Sequence, residues 1–411
     1  MKNYPKIILR KGKEAVLKRF HPWLFSGAIW RITGSPGEGD IVEIYSSADE
    51  YQATGHYFNG SIAVKIFSFR QCEIDYAFWK EKIQTAYNLR ANVRLTESAL
   101  SNAYRLVFTE GDDLPGLIID WYNGVAVIQT HNLGMHRIKG DLVNILREIY
   151  GEKLKAVFDK SSETMKISSS EGNERRGKDP EITEAHDGFR NHYLFGGFSA
   201  EPIMETGHHF RVDWENGQKT GFFLDQRNNR MFAQYYSNNR KVLNAFCYSG
   251  AFSVYALKGG ATMVHSVDSS YQALQLLEEN LALNGIDKAC HKSVLADVKK
   301  YFSENTDTYD LIILDPPAFA KRHNITHNAL QGYIYINTEA LKKLNNGGIL
   351  MTFSCSQAVS REMFQSAIMT AALESGRKIK VLHQLSQGPD HPFSIYHPEG
   401  EYLKGLILYV E

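Results

Sequence analysis

The sequence contains few cysteines and no long apolar run. The cysteines lack the CxxC spacing of zinc sites and disulfide frameworks, since they stand far apart at Cys72, Cys247, Cys290 and Cys355. No apolar run reaches the ~18 residues that a membrane-spanning helix needs. The N-terminus also lacks the apolar region of ~7–15 residues that marks a secretory signal peptide. These absences predict a reduced, cytoplasmic protein with no bound metal and no membrane segment.

A net charge is missing as well, because 46 lysines and arginines balance 46 aspartates and glutamates. The bulk charge therefore gives no support to nucleic-acid binding. Basic side chains are nevertheless concentrated in the first twenty residues, where Glu14 is the one acidic residue. The basic residues there are Lys2, Lys6, Arg10, Lys11, Lys13, Lys18 and Arg19. A local basic surface can bind phosphates on a neutral chain, although an ordinary solvated surface explains this pattern equally well.

The length of 411 residues is typical of two or three domains. Short apolar runs separated by glycine-rich turns predict a β-rich domain over residues 1–70. A second region, residues 71–200, is predicted to contain a connecting helix from Asp75 to Ala91 and then a strand, turn, strand and helix within 104–150. Its polar stretch from Ser168 to Asn191 has no periodicity and is predicted to be a mobile loop. Residues 201–411 form the third predicted region.

This third region lacks GxGxxG, the fingerprint of dinucleotide-binding proteins. Lys241–Phe246 is predicted to be a buried strand, Cys247–Gly250 a tight turn, and Ala251–Leu257 a helix. A strand, turn and helix N-terminus in this order present backbone N–H groups to a polar ligand. Because the turn holds one glycine and S-adenosylmethionine has no pyrophosphate, the pattern favours S-adenosylmethionine, and a methyltransferase rather than a dehydrogenase.

Later strands in this region end at acidic or reactive residues. Helical segments separate these strands, and the residues that follow them are Asp268, Asp297, Asp315 and Cys355. In a doubly wound α/β sheet the carboxyl ends of parallel strands meet at one edge, where ligands bind. The sequence therefore predicts a Rossmann-like sheet with its site along that edge.

Several residues at this edge match the polar groups of S-adenosylmethionine. Asp268 suits the ribose diol, because a carboxylate can accept both hydroxyl protons. Ser269 either assists Asp268 or caps the following helix. Asp297 suits the adenine amino group. The carboxylate end of the cofactor suits the backbone amides of the turn, which are those of Phe246, Cys247, Tyr248, Ser249 and Gly250.

Asp315-Pro316-Pro317 follows the predicted fourth strand. Two consecutive prolines fix φ and remove two N–H donors, so the turn is rigid and its carbonyls stay available. Such a turn suits a planar base: Asp315 faces exocyclic amino groups and Phe319 stacks on the ring. A base inside folded RNA has to be flipped out or already unpaired to reach it.

Cys355 follows the predicted fifth strand, beside the fourth. A thiolate that adds to carbon 6 of cytosine makes carbon 5 nucleophilic enough to accept a methyl group. The pKa of this thiol would have to be lowered, either by a helix N-terminus or by a nearby cation such as Lys321 or Arg322. Position alone leaves the alternative, a small buried apolar cysteine, equally open.

Several motifs together resemble the RlmI-type, PUA domain-containing ribosomal RNA cytosine-C5 methyltransferases over nearly the whole chain. They are RKG at Arg10–Gly12, HPWLF at His21–Phe25, GFFLDQR at Gly221–Arg227, FCYSGAF at Phe246–Phe252, LDPPAF at Leu314–Phe319 and FSCS at Phe353–Ser356.

The resemblance implies a class I methyltransferase domain, an N-terminal RNA-binding PUA domain and a small α+β middle domain. It implies formation of 5-methylcytosine in large-subunit ribosomal RNA, with Cys355 and Asp315 as catalytic residues. Asp315 and Pro316 also join the cofactor site with Phe222, Asp225 and Arg227, and the substrate site comprises Pro317, Phe319 and Lys321. Trp23 and Phe25 are expected in the core rather than stacked on RNA.

Alternatives from other classes stay open at this point. One is methyl transfer to a base nitrogen without a covalent step, and another is a non-catalytic RNA-binding or assembly protein. The sequence does not decide the oligomeric state, and a homodimer is one option.

Overall fold

The computed structural model describes residues 3–165, 189–198, 201–319 and 326–411, with Thr326 described by its backbone only. Two compact units divide the chain: the first comprises Met1–Glu201, Val212–Phe222 and Pro389–Gly400, and the second comprises Pro202–Arg211, Phe223–Gly388 and Glu401–Glu411. The division at residue 201 lies next to the predicted boundary. However, two segments that were assigned to the third region, 212–222 and 389–400, group with the first unit.

The first unit contains two sheets. The N-terminal sheet has six strands in the order β2-β6-β5-β4-β1-β3, where the strands are β1 Lys6–Leu9, β2 Trp23–Phe25, β3 Ile29–Thr33, β4 Ile41–Tyr45, β5 Tyr51–Tyr57 and β6 Ile62–Ser68. The other sheet has five strands in the order β11-β10-β9-β8-β7, where they are β7 Ala103–Phe108, β8 Leu117–Tyr122, β9 Val125–Thr130, β10 Ala156–Asp159 and β11 His192–Gly196.

Helices of the first unit cover the five-stranded sheet and share its apolar core. They are α1 Tyr76–Asn92, α2 Leu133–Arg137 and α3 Lys139–Tyr150. The connecting helix α1 is confirmed, and Asp75 caps it by accepting a hydrogen bond from Phe78 N at 2.9 Å. The prediction for 104–150 was one strand short, because the apolar stretch after Tyr122 continues as the hairpin strand β9. The predicted loop from Ser168 to Asn191 lies largely outside the described residues.

The second unit contains a hairpin and a seven-stranded sheet. The hairpin consists of β12 Ile203–Glu205 and β13 His208–Phe210. The sheet order is β16-β15-β14-β17-β18-β20-β19, for β14 Lys241–Ala245, β15 Met263–Asp268, β16 His291–Leu295, β17 Tyr309–Leu314, β18 Leu344–Ser354, β19 Ile379–Leu385 and β20 Lys404–Val410. Neighbours from β16 to β18 are parallel, whereas β20 runs antiparallel to both β18 and β19.

Both faces of this sheet are covered by apolar packing, and this accounts for its nearly continuous apolar central strands. The helices of the unit are α4 Arg227–Tyr236, α5 Ala251–Lys258, α6 Tyr271–Leu283, α7 Val298–Glu304, α8 Thr326–Lys343 and α9 Arg361–Ser375. The carboxyl ends of β14 and β17 lie side by side, and so do those of β17 and β18. The Rossmann-like fold class predicted from the sequence is therefore confirmed.

No helix among the described residues is both long and apolar enough to cross a membrane.

Candidate active site

The turn between β14 and α5 adopts a strained backbone. Phe246 has φ 60° and Tyr248 has φ 46°, both in the left-handed region that bulky side chains rarely occupy. Gly250 has φ 75°, and a Cβ at this position would lie 2.4 Å from Leu277 Cγ. Only glycine fits here, because α6 packs directly against the turn. Strain of this kind is typical of functional loops that the surrounding structure holds in place.

Hydrogen bonds attach the turn to β15 and α6. Tyr248 N donates to Asp268 Oδ2 and Ser270 N donates to Asp268 Oδ1, both at 2.9 Å, so the carboxylate at the end of β15 has a fixed orientation. Asn280 Nδ2 donates to Ser249 O at 2.9 Å. Ser270, rather than Ser269, caps α6 by accepting from Ala273 N, which corrects the capping alternative for Ser269. Ser269 itself is exposed beside Asp268.

Asp297 caps α7, and its Oδ1 accepts a hydrogen bond from Lys300 N at 3.1 Å. Its side chain is exposed at the carboxyl end of β16, the strand next to β15. Asp297 therefore has a structural role as a helix cap, and its contact with adenine stays a prediction.

Cys247 lies inside the turn and is 6% exposed. Burial raises the pKa of its thiol well above the usual range, and the negative charge of Asp268 raises it further. Because only the thiolate is a strong nucleophile, Cys247 is inert under ordinary conditions.

Two carboxylates approach each other at the next part of the sheet edge. Asp315 follows β17, and Asp225 lies in the short 3₁₀ segment Leu224–Gln226. Burial raises the pKa of Asp315 to about 7, and the charge of Asp225 adds to this, while the side chain of Gln226 donates a hydrogen bond that opposes it. Tyr402 Oη donates to Asp225 Oδ2 at 2.5 Å. The other oxygen, Asp225 Oδ1, is buried and accepts no hydrogen bond from the described residues.

This carboxylate pair suits a cationic ligand. Two neighbouring acids repel each other when both are ionised, and a positive charge beside them removes that cost. A buried carboxylate oxygen without a donor also needs a partner. S-adenosylmethionine carries both an ammonium and a sulfonium, so the residues present fit this cofactor.

Two other predicted cofactor residues lie in different surroundings. Arg227 is buried, and its Nε lies 3.5 Å from Glu205 Oε2. Phe222 is buried in the first unit, where its carbonyl accepts a hydrogen bond from Tyr122. The neighbouring Phe223 belongs to the second unit and packs edge-on against Tyr248 of the turn, with ring centroids 5.3 Å apart. The sequence predicted Phe222 and not Phe223 as a cofactor residue. The two are neighbouring phenylalanines, and the one local signal that separates them is that successive side chains point in opposite directions.

Cys355 and the Asp-Pro-Pro turn form one site. The neighbouring strands β17 and β18 bring Cys355 Sγ to 4.0 Å from the carbonyl oxygen of Pro316. The Cys355 side chain is partly exposed, and Pro317 is exposed. Phe319 packs edge-on against Tyr333, whose hydroxyl accepts a hydrogen bond from Ser354 Oγ at 2.8 Å. Lys321 and Arg322 lie outside the described residues.

A lysine that sequence analysis missed lies beside this site. Lys404 is the first residue of β20 and is only 3% exposed. Its Nζ donates to the carbonyl oxygens of Ser356 at 2.7 Å and Val359 at 2.8 Å, in the segment that follows Cys355. Nothing in the local sequence indicates this, because 48 residues separate Lys404 from Ser356.

Several aromatic rings of the first unit are exposed. Phe25 is 46% exposed, so its expected place in the core was wrong, and Phe20 is 51% exposed. Trp23 is partly buried because its indole Nε1 donates to Glu110 Oε1 at 2.8 Å. Phe20 has φ 57° and its ring lies 5.5 Å from that of Tyr396, which is 53% exposed. We call Phe20, Phe25 and Tyr396 the aromatic surface.

Comparisons with known proteins identify the family of this chain. A family described as S-adenosylmethionine-dependent methyltransferase matches residues 112–394, and a PUA-like domain matches residues 7–69. Proteins named ribosomal RNA large subunit methyltransferase I are similar over nearly the whole length. The one from Aeromonas hydrophila is 38% identical and covers 98% of each chain, and the one from Escherichia coli is 35% identical and covers 98% of this chain and 99% of its own.

Solved structures share the fold. A protein from Streptococcus mutans, described as a candidate S-adenosylmethionine-dependent methyltransferase, superposes with a TM-score of 0.81 at 24% identity and covers 98% of this chain and 99% of its own. A methyltransferase structure with the same scores was crystallised with S-adenosylhomocysteine. The family match and the full-length relatives show that this chain belongs to the ribosomal RNA large subunit methyltransferase I family of S-adenosylmethionine-dependent methyltransferases, with an N-terminal PUA-like domain.

Proposed function

We propose that this methyltransferase forms 5-methylcytosine in large-subunit ribosomal RNA through a covalent adduct of Cys355. The observation that carries the proposal is the 4.0 Å distance between Cys355 Sγ and the Pro316 carbonyl, which joins a partly exposed thiol to the Asp-Pro-Pro turn. The names of the full-length relatives support ribosomal RNA as the substrate.

The reaction needs a nucleophile because carbon 5 of cytosine does not attack a methyl donor by itself. The Cys355 thiolate adds to carbon 6, and the new S–C bond pushes electron density to carbon 5. When bound, S-adenosylmethionine would supply the methyl group to carbon 5 and would leave as S-adenosylhomocysteine. A base then removes the proton from carbon 5, the double bond re-forms and the Cys355 thiolate leaves.

Asp315 and the residues around it hold the base in this proposal. Its carboxyl and the adjacent carbonyl of Pro316 accept hydrogen bonds from the exocyclic amino group of cytosine. Pro317 borders the base, and Phe319 stacks on it. With its pKa raised to about 7, Asp315 can be present in either protonation state near neutral pH.

The cofactor residues divide by the group that each one holds. Asp225 and Asp315 neutralise the positive charges at the methionine end, with Arg227 and Pro316 beside them. The amides of the strained turn at 246–250 hold the carboxylate, Asp268 and Ser269 the ribose, and Asp297 the adenine amino group. Phe222 stays a proposed cofactor residue, and Phe223 is added because it packs on the turn.

The covalent step is tested with Cys355→Ala and mass-spectrometric mapping of ribosomal RNA nucleosides. The wild-type chain should restore a 5-methylcytosine in RNA from cells that lack the gene, and C355A should not. Retained methylation by C355A, or a product methylated on a base nitrogen, would remove the carbon-5 mechanism. Titration of C355A with S-adenosylmethionine is the control, because the cofactor residues are intact and the affinity should be unchanged.

We further propose that the aromatic surface binds unpaired ribosomal RNA bases. Exposed rings stack on bases and nearby cations contact phosphates, a combination typical of single-strand binding. Lys11, Lys13, Lys18 and Arg19 are all exposed beside it in sequence. Phe20 lies at the left-handed C-terminal cap of the 3₁₀ segment Leu17–Arg19, and its side chain is 51% exposed.

Replacing both Phe20 and Tyr396 with alanine should weaken RNA binding by roughly 1–3 kcal/mol per stacked base, without changing the salt dependence. Replacing Lys11, Lys13 and Lys18 with alanine should instead reduce the salt slope. Trp30→Ala removes an exposed ring elsewhere on the unit, 62% exposed, and is the matched control. Equal losses for W30A and the double variant would contradict a specific aromatic surface.

A further inference from the structure

Lys404 is fixed against the segment that carries Cys355. It pairs with Ser354 across the antiparallel strands β18 and β20, directly before Cys355. Its ammonium donates two hydrogen bonds, to the carbonyls of Ser356 and Val359, directly after Cys355. The lysine therefore holds the chain on both sides of the thiol, and its position is set by the sheet register rather than by a flexible loop.

The burial of Lys404 is costly, although its two hydrogen bonds anchor the segment that follows Cys355. Taking an ammonium out of water costs several kcal/mol unless a carboxylate is paired with it. Within the described part of the chain, no carboxylate oxygen lies within 4.0 Å of its Nζ. The nearest acid in sequence, Glu401, instead forms an ion pair with Arg361. The two hydrogen bonds account for an anchoring role, and the burial of an ammonium without a paired carboxylate indicates an electrostatic role in addition.

The negative charges that act on the Lys404 ammonium come from Cys355 and Glu401. Burial lowers the pKa of Lys404 to about 8, and the interaction that most favours its ammonium form is with a Cys355 thiolate, ahead of Glu401. Such an interaction is mutual, so the ammonium favours the thiolate by the same amount.

The other titratable groups near Cys355 lie on β17, α8, α9 and the segment before β20. Asp315 has its pKa raised to about 7, which limits its opposition to a thiolate at neutral pH. Tyr333 is uncharged, since burial raises its pKa above the usual range. The ion pair between Arg361 and Glu401 carries no net charge. The ammonium of Lys404 therefore interacts favourably with a Cys355 thiolate.

We propose that Lys404 is the positioning residue that keeps Cys355 in its nucleophilic thiolate form and in place beside the Asp-Pro-Pro turn. This inference rests on the proposed role of Cys355 in catalysis. Lys404 acts through Cys355 and does not itself touch the reacting carbon. In this proposal Lys404 supplies the cation near the Cys355 thiol, for which the sequence had offered Lys321 or Arg322 as candidates.

The test measures the reactivity of Cys355 directly, without RNA. The purified full chain is alkylated with iodoacetamide over a range of pH, and mass spectrometry follows the peptide that contains Cys355. In the wild-type chain the midpoint should lie below the ordinary value of ~8.5 for a cysteine. Lys404→Met should raise the midpoint by about one pH unit, which lowers the rate roughly tenfold at pH 7. Lys404→Arg should restore most of the shift.

Lys343→Met is the matched control, because Lys343 also donates to a backbone carbonyl, that of Asn305, away from Cys355. K343M should leave the midpoint unchanged. If K404M and wild type share a midpoint, Lys404 only anchors the segment and the inference is overturned. A wild-type midpoint at or above ~8.5 overturns it without any variant, so that misfolding of K404M cannot hide the answer.

Catalysis gives a separate readout. K404M should lower kcat and move the rising limb of the pH–rate profile to higher pH, while the KM for S-adenosylmethionine stays constant. Failure of the proposed function would appear as retained RNA methylation by C355A, whatever the alkylation result. Failure of the present inference would appear as unchanged alkylation in K404M although C355A is inactive.

Discussion

Cys247 and Cys355 each follow a central strand of the same sheet, and their environments are opposite. Cys247 is enclosed in the turn after β14, where burial and Asp268 raise the pKa of its thiol. Cys355 follows β18, is partly exposed, and lies in a segment that the buried ammonium of Lys404 holds. The two turns lie at the same edge of the sheet. We propose that the first holds the cofactor through its backbone amides and that the second presents the Cys355 side chain to the substrate.

This difference shows that a cysteine is not reactive merely because it follows a strand of the sheet. Reactivity depends on whether the thiolate is exposed and electrostatically favoured, and both properties come from residues distant in sequence. The same holds for the acids. Asp268 is fixed by two backbone amides, whereas Asp315 faces another carboxylate.

The largest expected effect separates the two cysteines. Cys355→Ala should lower kcat by at least roughly 10³-fold, because the covalent step is lost. Cys247→Ala should keep methylation within about tenfold of wild type and act mainly on the KM for S-adenosylmethionine. Steady-state methylation assays on RNA check both. Equal losses in the two variants would remove the proposed distinction between the turns.

A second prediction concerns the tightness of the cofactor turn. Gly250→Ala should lower the free energy of unfolding by roughly 2–4 kcal/mol and weaken binding of S-adenosylmethionine, because the new methyl group meets Leu277 at 2.4 Å in a left-handed backbone. Gly376→Ala is the control, since Gly376 has φ 71° and open space around a Cβ. It should cost only about 1 kcal/mol. Urea unfolding and isothermal titration measure the two effects, and equal costs would contradict the clash.

A third prediction follows from the raised pKa of Asp315. Its folded-state pKa of about 7 exceeds the ordinary 3.8, so ionisation costs stability, and the cost grows as the pH rises from about 4 to 7. At pH 8 the free energy of unfolding of Asp315→Asn should therefore exceed that of wild type by up to a few kcal/mol, at roughly 1.4 kcal/mol per pKa unit, and the variant should unfold at a higher temperature. At pH 4 the difference should vanish. A constant difference at both pH values would show that the carboxylate is not responsible.

The smallest expected effect is on the pH dependence of cofactor binding. A cationic ligand prefers the ionised Asp315, so the affinity for S-adenosylmethionine should fall about tenfold between pH 8 and pH 6. Asp225→Asn should flatten this dependence, because it removes the charge that helps to raise the pKa of Asp315. Calorimetric titration at several pH values gives the comparison, and S-adenosylhomocysteine, which lacks the sulfonium, separates the two positive charges.

The residues that follow the strands of the second unit were predictable from the sequence. The predicted strand Lys241–Phe246 is observed as β14, Lys241–Ala245, and the predicted helix Ala251–Leu257 is observed as α5, Ala251–Lys258. Apolar runs and capping residues are local signals, so one sequence contains them. Errors arose where nonlocal contacts decide. Strand β9 of the five-stranded sheet was not predicted. Phe25 proved to be exposed because other side chains fill the core of the N-terminal sheet.

The sequence by itself determined the order of strands and helices, the residues at the sheet edge and, through its motifs, the family. Only the tertiary structure decided which of these residues meet. The register of β18 and β20 brings Lys404 to the segment after Cys355, and the 3₁₀ turn before α4 brings Asp225 to Asp315. Periodicity and capping act over a few residues, whereas sheet pairing joins segments far apart in the chain, and for that reason no local pattern reveals such contacts.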